Sequence, residues 1–310
     1  MKNLLNHPLF QQLQNTPLPV QRVQTDWLEQ ASIQLDMLRL DLLHPQVSGN
    51  KWFKQKHHLI QAAEQGCNCL LSFGGAWSNH IHALAAVGNL LKIPTIGVIR
   101  GERSKTPSPT LIDAERWGMQ LHFINRKDYR QKHQPDFVQK LLTELGLSTD
   151  SCYVIPEGGS GALGIKGCEM ILQSGAINPK DYQQIWLASG TGATSAGVIR
   201  STQGHSQIHS VAVLKDANWM TDEIGQYLKL QQNNWQVETD FHCKGYGKTT
   251  PELLAFIDDF YQQTGILLDQ VYTGKMMFGL YQQVCAGNVK IHRKILTIHS
   301  GGLQGSRALR

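Results

Sequence analysis

Ser48-Gly49-Asn50-Lys51 and, one helix and one strand later, Gly74-Gly75-Ala76-Trp77-Ser78-Asn79-His80 are the segments from which the fold is inferred. The first follows a run that alternates from Ile33, which predicts a strand, and it precedes a helical pattern over 52–65. The second follows an apolar run at 69–73, which predicts a buried strand. Each segment is therefore a turn between a strand and a helix. A lysine in such a turn is a candidate Schiff-base amine, and a glycine-rich helix start is a candidate anion site.

Alternation of strands and helices continues along the whole chain. The pattern predicts strands at 33–43, 69–73, 94–99, 120–124, 153–155, 184–188, 208–213, 235–238 and 294–299. It predicts helices at 52–65, 80–91, 137–145, 163–173, 219–230, 250–264 and 275–286, and a further helix that ends near 117. Such a βα rhythm predicts an α/β protein with two open twisted α/β domains. We expect a small domain at 52–158 and a large domain built from 1–51 and 159–310, joined by a flexible crossing at 156–161.

Composition excludes several classes of function. The 310 residues carry a formal net charge of +5 without an extended basic surface segment, so we expect no nucleic-acid partner. No run of 18 apolar residues and no export signal is found, so we expect no membrane association. The six cysteines contain no Cys-x-x-Cys pair, which favours reduced thiols and a cytoplasmic location. We expect no metal site, because His80 and His82 would point about 200° apart on a helix.

A third glycine-rich turn follows the strand at 184–188. It consists of Gly190, Thr191, Gly192, Ala193 and Thr194, whose small residues allow backbone N–H groups and hydroxyls to surround an anion at a helix start. Ser195 stands where a dinucleotide-binding fold requires its third glycine, and no phosphate-loop lysine follows. The turn is thus either a phosphate site or a tight connection. Ser78 has two interpretations as well, because a serine at a helix start is either a cap or a group that contacts substrate.

These motifs, in this order and spacing, resemble the pyridoxal-phosphate enzymes of the tryptophan-synthase-β fold type. Within that fold type they resemble the 1-aminocyclopropane-1-carboxylate deaminase and D-cysteine desulfhydrase family. The resemblance runs from about residue 33 to 305 and includes Tyr272-Thr273-Gly274-Lys275 and His299-Ser300-Gly301-Gly302. It implies fold type II, with pyridoxal 5'-phosphate in the cleft between the two domains, and it suggests a homodimer.

The resemblance also implies roles for individual residues. Lys51 would bind the cofactor aldehyde covalently, Asn79 would bond its phenolic oxygen, and Gly190, Thr191, Gly192, Ala193 and Thr194 would bind its phosphate. Thr273 and Ser300 would lie beside the ring nitrogen. The catalytic set would be Lys51, Ser78 and Tyr272, and the substrate-binding set would be Ser78, Asn79, His80, Tyr246 and Tyr272.

Two positions separate the activities of that family. Ring-opening enzymes typically have Glu after the tyrosine and Leu before the final Gly-Gly, whereas desulfhydrases have hydroxyl residues at both positions. Thr273 and Ser300 therefore favour β-elimination on a small D-amino acid, with D-cysteine giving pyruvate, ammonia and sulfide. The alternatives are 1-aminocyclopropane-1-carboxylate deamination, another pyridoxal-phosphate lyase such as a serine or threonine dehydratase, and a binding protein for the cofactor or another phosphorylated metabolite.

Overall fold

The computed structural model describes residues 4–47, 49–228, 232–290 and 292–309. Ser48 and residues 229–231, which include the end of the predicted helix 219–230, lie outside the described residues. The strands are β1 Val20–Val23, β2 Gln34–Arg39, β3 Cys69–Gly74, β4 Thr95–Arg100, β5 Gln120–Ile124, β6 Cys152–Ile155, β7 Gln184–Ser189, β8 Gln207–Ala212, β9 Trp235–Glu238 and β10 Lys294–His299. The α-helices are α1 Pro8–Asn15, α2 Asp26–Gln30, α3 Asn50–Glu64, α4 Asn79–Leu91, α5 Pro109–Arg116, α6 Arg126–Tyr129, α7 Pro135–Glu144, α8 Ala162–Cys168, α9 Ile171–Ser174, α10 Ala193–Thr202, α11 Trp219–Leu228, α12 Pro251–Thr264 and α13 Thr273–Cys285.

The chain forms two compact units, each with its own sheet. The smaller unit comprises Met1–Thr16, Lys51–Gly164 and Arg307–Arg310, and the larger unit comprises Pro17–Asn50 and Ile165–Ser306. The first 16 residues thus group with the smaller unit, whereas the sequence pattern assigned them to the large domain. The boundary near residue 51 falls between Asn50 and Lys51. The proposed domain boundaries at 51 and 158 stay a prediction.

The smaller unit contains a four-stranded parallel sheet in the order β5-β4-β3-β6. Every residue of β3 is buried, as expected of a central strand covered on both faces. Leu71, Phe73 and Val98 pack with Leu142 of α7 in the core on one face. Because parallel strands end at a common edge, the turn after Gly74 leaves from the carboxyl edge of this sheet.

The larger unit contains a six-stranded sheet in the order β1-β2-β10-β7-β8-β9. Only the edge strand β1 runs antiparallel to its neighbour among the described strands; the other pairings are parallel. Strands β2, β10 and β7 are consecutive in this order and parallel, so their carboxyl ends share one edge. The segments after Arg39, His299 and Ser189 all leave from that edge. The segments that lead to Gly49, Gly190 and Ser300 therefore begin beside one another.

A hydrophobic core covers one face of the larger sheet. Leu35, Trp186 and Ile295 from the strands are buried with Phe260 of α12 and Met276 of α13. These side chains come from segments far apart in sequence, which the fold brings together in one layer. Within the described part of the chain, no helix is both long and apolar enough to cross a membrane.

The predicted α/β fold is confirmed, and the differences are local. The run 33–43 ends as a strand at Arg39, because Leu40–Leu42 turn into a 3₁₀ helix whose Leu40 carbonyl accepts the Gly49 N–H at 2.9 Å. The predicted helix 163–173 is two helices, α8 and α9, separated near Met170. The N-terminal elements α1, β1 and α2 were not predicted, since each is only 4–8 residues long and too short to show a periodic pattern.

Candidate active site

The turn that precedes Lys51 is fixed by contacts within the larger unit. Gly49 has φ +74°, and a Cβ placed on it would lie 2.0 Å from the carbonyl oxygen of Ser300. Asn50 donates its backbone N–H to that same oxygen at 3.1 Å. Its side-chain Nδ2 donates to Thr194 Oγ1 at 2.9 Å. Glycine at 49 is required by both its φ angle and the close approach of the Ser300 backbone, which explains the Gly-Asn-Lys order in structural terms.

The glycine-rich turn after β7 leads directly into the N-terminus of α10. Gly192 caps this helix with φ +74°, and a Cβ there would lie 2.9 Å from Cγ1 of Ile224 on α11. Its N–H donates to Ser189 Oγ at 3.2 Å. The first N–H groups of a helix have no acceptor within the helix, and they carry the positive end of its dipole. Thr194 is buried in this first turn, beside Asn50. The arrangement suits a phosphate or carboxylate.

Asp269 organises the Tyr272-Thr273 segment at the start of α13. Its Oδ2 accepts the N–H groups of Val271 and Tyr272 at 3.0 and 2.8 Å. Its Oδ1 accepts the N–H and the hydroxyl of Thr273 at 2.7 and 2.6 Å, and its own N–H donates to Thr273 Oγ1 at 2.9 Å. Asp269 and Thr273 are both buried. The Thr273 hydroxyl therefore donates its hydrogen bond to Asp269.

Tyr272 lies over the anion-binding turn. A Cβ on Gly190 would be 3.4 Å from both Cε1 and the hydroxyl oxygen of Tyr272, so the ring lies in van der Waals contact with this position of the turn. Tyr246 meets Tyr272 edge-on, with ring centroids 6.1 Å apart and planes at 77°. The structure therefore brings Tyr272 into contact with both Gly190 and Tyr246, and the roles assigned to these residues stay a prediction.

The end of β10 supplies Ser300. It is held through its backbone carbonyl, which accepts the Asn50 N–H. The preceding His299 is fully buried, and its Nε2 donates to the Leu267 carbonyl at 2.7 Å. His299 Nδ1 accepts the N–H of Gly301 at 3.3 Å, which closes the turn after the strand. His299 thus fixes the backbone that carries Ser300.

Lys51, Ser78, Asn79 and His80 belong to the smaller unit. Lys51 is half-buried near the start of α3, directly after Asn50. Ser78 is the N-cap of α4: its Oγ accepts the Ile81 N–H at 3.3 Å, which confirms the capping interpretation. The turn approaches the helix closely because Gly74 has no side chain; a Cβ there would lie 2.8 Å from Ser78 Oγ. Ser78 and Asn79 are both partly exposed.

The His80 ring points into a buried network. Ser72 Oγ donates to the Ile155 carbonyl at 2.9 Å and so accepts from His80 Nε2, 2.8 Å away. The Nε2–H tautomer leaves Nδ1 as the acceptor for Gln55 Nε2 at 3.2 Å. Burial, reinforced by the charges of Lys54 and Lys51, holds the pKa of His80 well below its usual range. The ring is thus a neutral structural group, and any contact of His80 with substrate falls to its backbone N–H.

Several supporting residues were not predicted from the sequence. Asp269 and Lys275 are buried charges, and Gln55 and Ser72 are buried polar groups. Lys275 is the last residue of the Tyr272-Thr273-Gly274-Lys275 motif, but no role was predicted for it, because a lysine in a helix is usually a surface charge. Asp269, Gln55 and Ser72 belong to no sequence motif, because their partners are backbone atoms or a ring distant in sequence. In the described residues, no three His, Cys, Asp or Glu side chains come together as a metal site would require.

The chain is similar in sequence and in fold to known enzymes. A model of the family described as pyridoxal-phosphate dependent enzyme matches residues 9–301. A bifunctional D-cysteine desulfhydrase/1-aminocyclopropane-1-carboxylate deaminase of Arabidopsis thaliana, designated mitochondrial, is 28% identical over 94% of this chain and 78% of its own. The D-cysteine desulfhydrase of Serratia proteamaculans is 28% identical over 85% of each chain. A crystal structure of an ACC deaminase homologue superposes with a TM-score of 0.79 at 24% identity, over 97% of this chain and 96% of that one.

Proposed function

Since this chain belongs to the pyridoxal-phosphate dependent enzyme family, we propose that it is a desulfhydrase-like lyase that acts by β-elimination on a small D-amino acid. With D-cysteine and water, the products are pyruvate, ammonia and hydrogen sulfide. Membership of the family makes the protein an enzyme and pyridoxal 5'-phosphate its cofactor.

The residues present fit that cofactor. The turn from Gly190 to Thr194 offers an N-terminal helical turn to a phosphate, and Gly192 at its N-cap has a φ of +74°. Lys51 would hold the aldehyde and Asn79 the phenolic oxygen. When bound, the pyridoxal ring supplies an electron sink for the charge that develops at the substrate α-carbon.

One observation carries the proposal: Asn50 bonds both to the Ser300 carbonyl and to the Thr194 hydroxyl. Asn50 immediately precedes Lys51. The backbone that leads into the lysine is therefore hydrogen-bonded to the turn at 190–194 and to Ser300, which is one of the two positions that separate the activities of the family. A lysine with a merely structural role in a surface turn would not require such ties. We therefore assign the anion turn and Ser300 to one site, and Lys51 is the residue that follows Asn50 directly in the chain.

We assign the chemical steps to three side chains. The Lys51 amine takes the α-proton of the substrate. The turn that begins at Ser78 holds the substrate carboxylate through its hydroxyl and the N–H groups of the first turn of α4. The Tyr272 hydroxyl donates a proton to the departing thiolate. Tyr246 packs against Tyr272 and borders the substrate.

Hydroxyl residues at 273 and 300 support elimination over ring opening. The Thr273 hydroxyl donates its hydrogen bond to Asp269, whereas Ser300 is held through its backbone. Ser300 is therefore the better placed of the two to hydrogen-bond the ring nitrogen. A neutral hydroxyl does not keep that nitrogen protonated as a carboxylate would, so the ring withdraws electrons less strongly. A weaker sink suits the loss of thiolate, which is a good leaving group.

The second candidate is 1-aminocyclopropane-1-carboxylate deamination, because the Arabidopsis relative is named for both activities. The two are separated by incubating the holoenzyme with D-cysteine, L-cysteine, the cyclopropane acid and L-serine. Sulfide and pyruvate from D-cysteine alone support the proposal. Release of 2-oxobutyrate from the cyclopropane acid supports the second candidate, and pyruvate from L-serine indicates a dehydratase.

Lys51→Ala tests the assignment of the lysine. We expect loss of the absorbance band of the bound cofactor and of all product formation. The matched control is Lys140→Ala, a surface lysine that pairs with Glu144 one helical turn away, and it should retain both. Retention of the band and of turnover in Lys51→Ala would contradict the assignment.

We further propose a homodimer in the cytoplasm. The family resemblance supports the dimer, and the six cysteines, none of which forms a disulfide in the described residues, support a reducing compartment. Light scattering on the eluting protein measures the mass of the assembly directly, and a mass of one chain, 34.7 kDa, would contradict the dimer.

A further inference from the structure

Lys275 is a fully buried lysine whose ammonium forms no ion pair within the described residues. Its exposed fraction is 0%, and Nζ donates to the carbonyl oxygens of His242 and Gly245 at 2.8 and 2.7 Å. Burial lowers the pKa of the ammonium, and the charges of Cys243 and Asp269 act in the opposite direction. Burying a charge costs stability unless its hydrogen bonds are made. An apolar side chain would occupy this buried position at a lower cost in stability. The hydrogen bonds to the two loop carbonyls are what the ammonium supplies and an apolar side chain would not.

The loop it holds has an unfavourable backbone conformation. Cys243 and Lys244 have φ of 48° and 69°, a region that residues with a Cβ seldom adopt, and Gly245 and Gly247 have φ of 115° and 66°. Residues in such conformations persist only when their surroundings fix them. The two carbonyls bound by Lys275 lie at 242 and 245, on either side of the two strained residues. The lysine thus closes the loop across its strained section.

The residue that follows the second carbonyl is Tyr246. Tyr246 is 44% exposed, and its ring meets that of Tyr272 edge-on. Tyr272 in turn lies on Gly190 of the anion turn. A continuous set of contacts therefore runs from Lys275, through the loop and the two tyrosines, to the turn that we assign to the cofactor phosphate.

We propose that Lys275 is a positioning residue: it holds the loop 242–247 so that Tyr246 is kept against Tyr272, where the substrate binds. The inference rests on the proposed function for the role of the two tyrosines. It adds a residue that touches neither substrate nor cofactor and acts through the backbone of the loop.

The test uses the holoenzyme and the Lys275→Met variant, which keeps the volume of the chain and removes the donors. We expect the cofactor absorbance to be unchanged and KM for D-cysteine to rise by about 10-fold to 100-fold, with kcat within about threefold, because a small displacement of a positioning group has effects of this size. Hydrogen exchange of the amides at 242–247 should become faster. Lys275→Gln, which keeps an N–H donor, should recover part of both effects.

Tyr246→Ala completes a double-mutant cycle. If the lysine acts through this tyrosine, the double variant should have the KM of Tyr246→Ala alone. Additive effects would overturn the proposal, and so would unchanged exchange at 242–247 in Lys275→Met. If Lys275→Met does not fold, Lys275→Gln carries the same two measurements. A wild-type protein that turns over none of the substrates refutes the proposed function, and hydrogen exchange still decides whether Lys275 holds the loop.

Discussion

Gly49→Ala should disrupt the turn that presents Lys51, and the structure offers a matched control. Gly49 and Gly66 have the same φ of +74°, but only Gly49 is enclosed: a Cβ there would lie 2.0 Å from the Ser300 carbonyl oxygen and 2.9 Å from the Gly301 Cα. At Gly66 no atom lies within 4 Å of the added Cβ. Comparing Gly49→Ala with Gly66→Ala therefore separates the free-energy cost of the left-handed backbone conformation from the cost of the clash.

The expected magnitudes follow from these two terms. A left-handed φ costs an alanine about 1–2 kcal/mol relative to glycine, so Gly66→Ala should lower the free energy of unfolding by about that amount. Gly49→Ala adds a clash with backbone atoms, which cannot rotate away as a side chain can, and overpacking of this kind costs a further ~1–3 kcal/mol. We therefore expect about 2–5 kcal/mol for Gly49→Ala.

The clash also has a functional consequence that Gly66→Ala lacks. Moving the 49–50 turn away from Ser300 breaks the Asn50 N–H bond to its carbonyl and draws the Asn50 side chain from Thr194. Urea denaturation measures the stability of both variants, and absorbance titration with the cofactor measures binding. Gly66→Ala should bind like wild type, whereas Gly49→Ala should bind at least about tenfold more weakly if one hydrogen bond of about 1.4 kcal/mol is lost. Equal stability and equal binding in the two variants would refute the reasoning.

Other predictions concern the buried histidine of α3 and the two hydroxyls. Burial lowers the pKa of His58 to about 4, so the unfolded chain takes up its proton near 6.5 while the folded protein does not. Stability should therefore fall as the pH decreases from about 6.5 to 4, by up to roughly 3 kcal/mol from this group, and His58→Gln should remove that part of the slope in urea titrations. Thr273→Val should lower the free energy of unfolding by about 1–3 kcal/mol, because Asp269 loses a buried partner. Ser300→Ala should change the free energy of unfolding by less than about 0.5 kcal/mol but shift the absorbance of the bound cofactor. If Thr273→Val instead shifts the absorbance and Ser300→Ala lowers the stability, the roles of the two hydroxyls are exchanged.

The order of elements was accessible from the sequence because each turn carries its own chemical signature. Glycines mark positions that the structure gives a left-handed φ or a close neighbour, as at Gly49, Gly74 and Gly192. Apolar alternation identified the strands that flank them. Short amphipathic pieces such as α1 and β1 were missed, since too few residues repeat for a period to be recognised.

The supports of the candidate site were not accessible in the same way. Asp269 is bonded by three backbone N–H groups and one hydroxyl, and Lys275 bonds two backbone carbonyls. Backbone groups are present at every position, so a side chain that binds them has no partner that a sequence could reveal. Burial of a lysine or an aspartate also runs against the usual distribution of charged residues. Only the fold shows that these charges are enclosed.

His80 is the residue for which sequence and structure give different expectations, and Ser72→Ala tests them. The sequence places His80 in the substrate-binding set, whereas the structure directs its ring to Ser72 and Gln55. Removing the Ser72 hydroxyl deprives a buried N–H of its acceptor without altering any residue that we assign to substrate. We expect a loss of about 1–3 kcal/mol of stability and a KM for D-cysteine within about twofold of wild type. If the stability were unchanged and the KM raised, the ring itself would contact the substrate. Only the disturbance of a group with a role in binding lowers the affinity for substrate without lowering the free energy of unfolding.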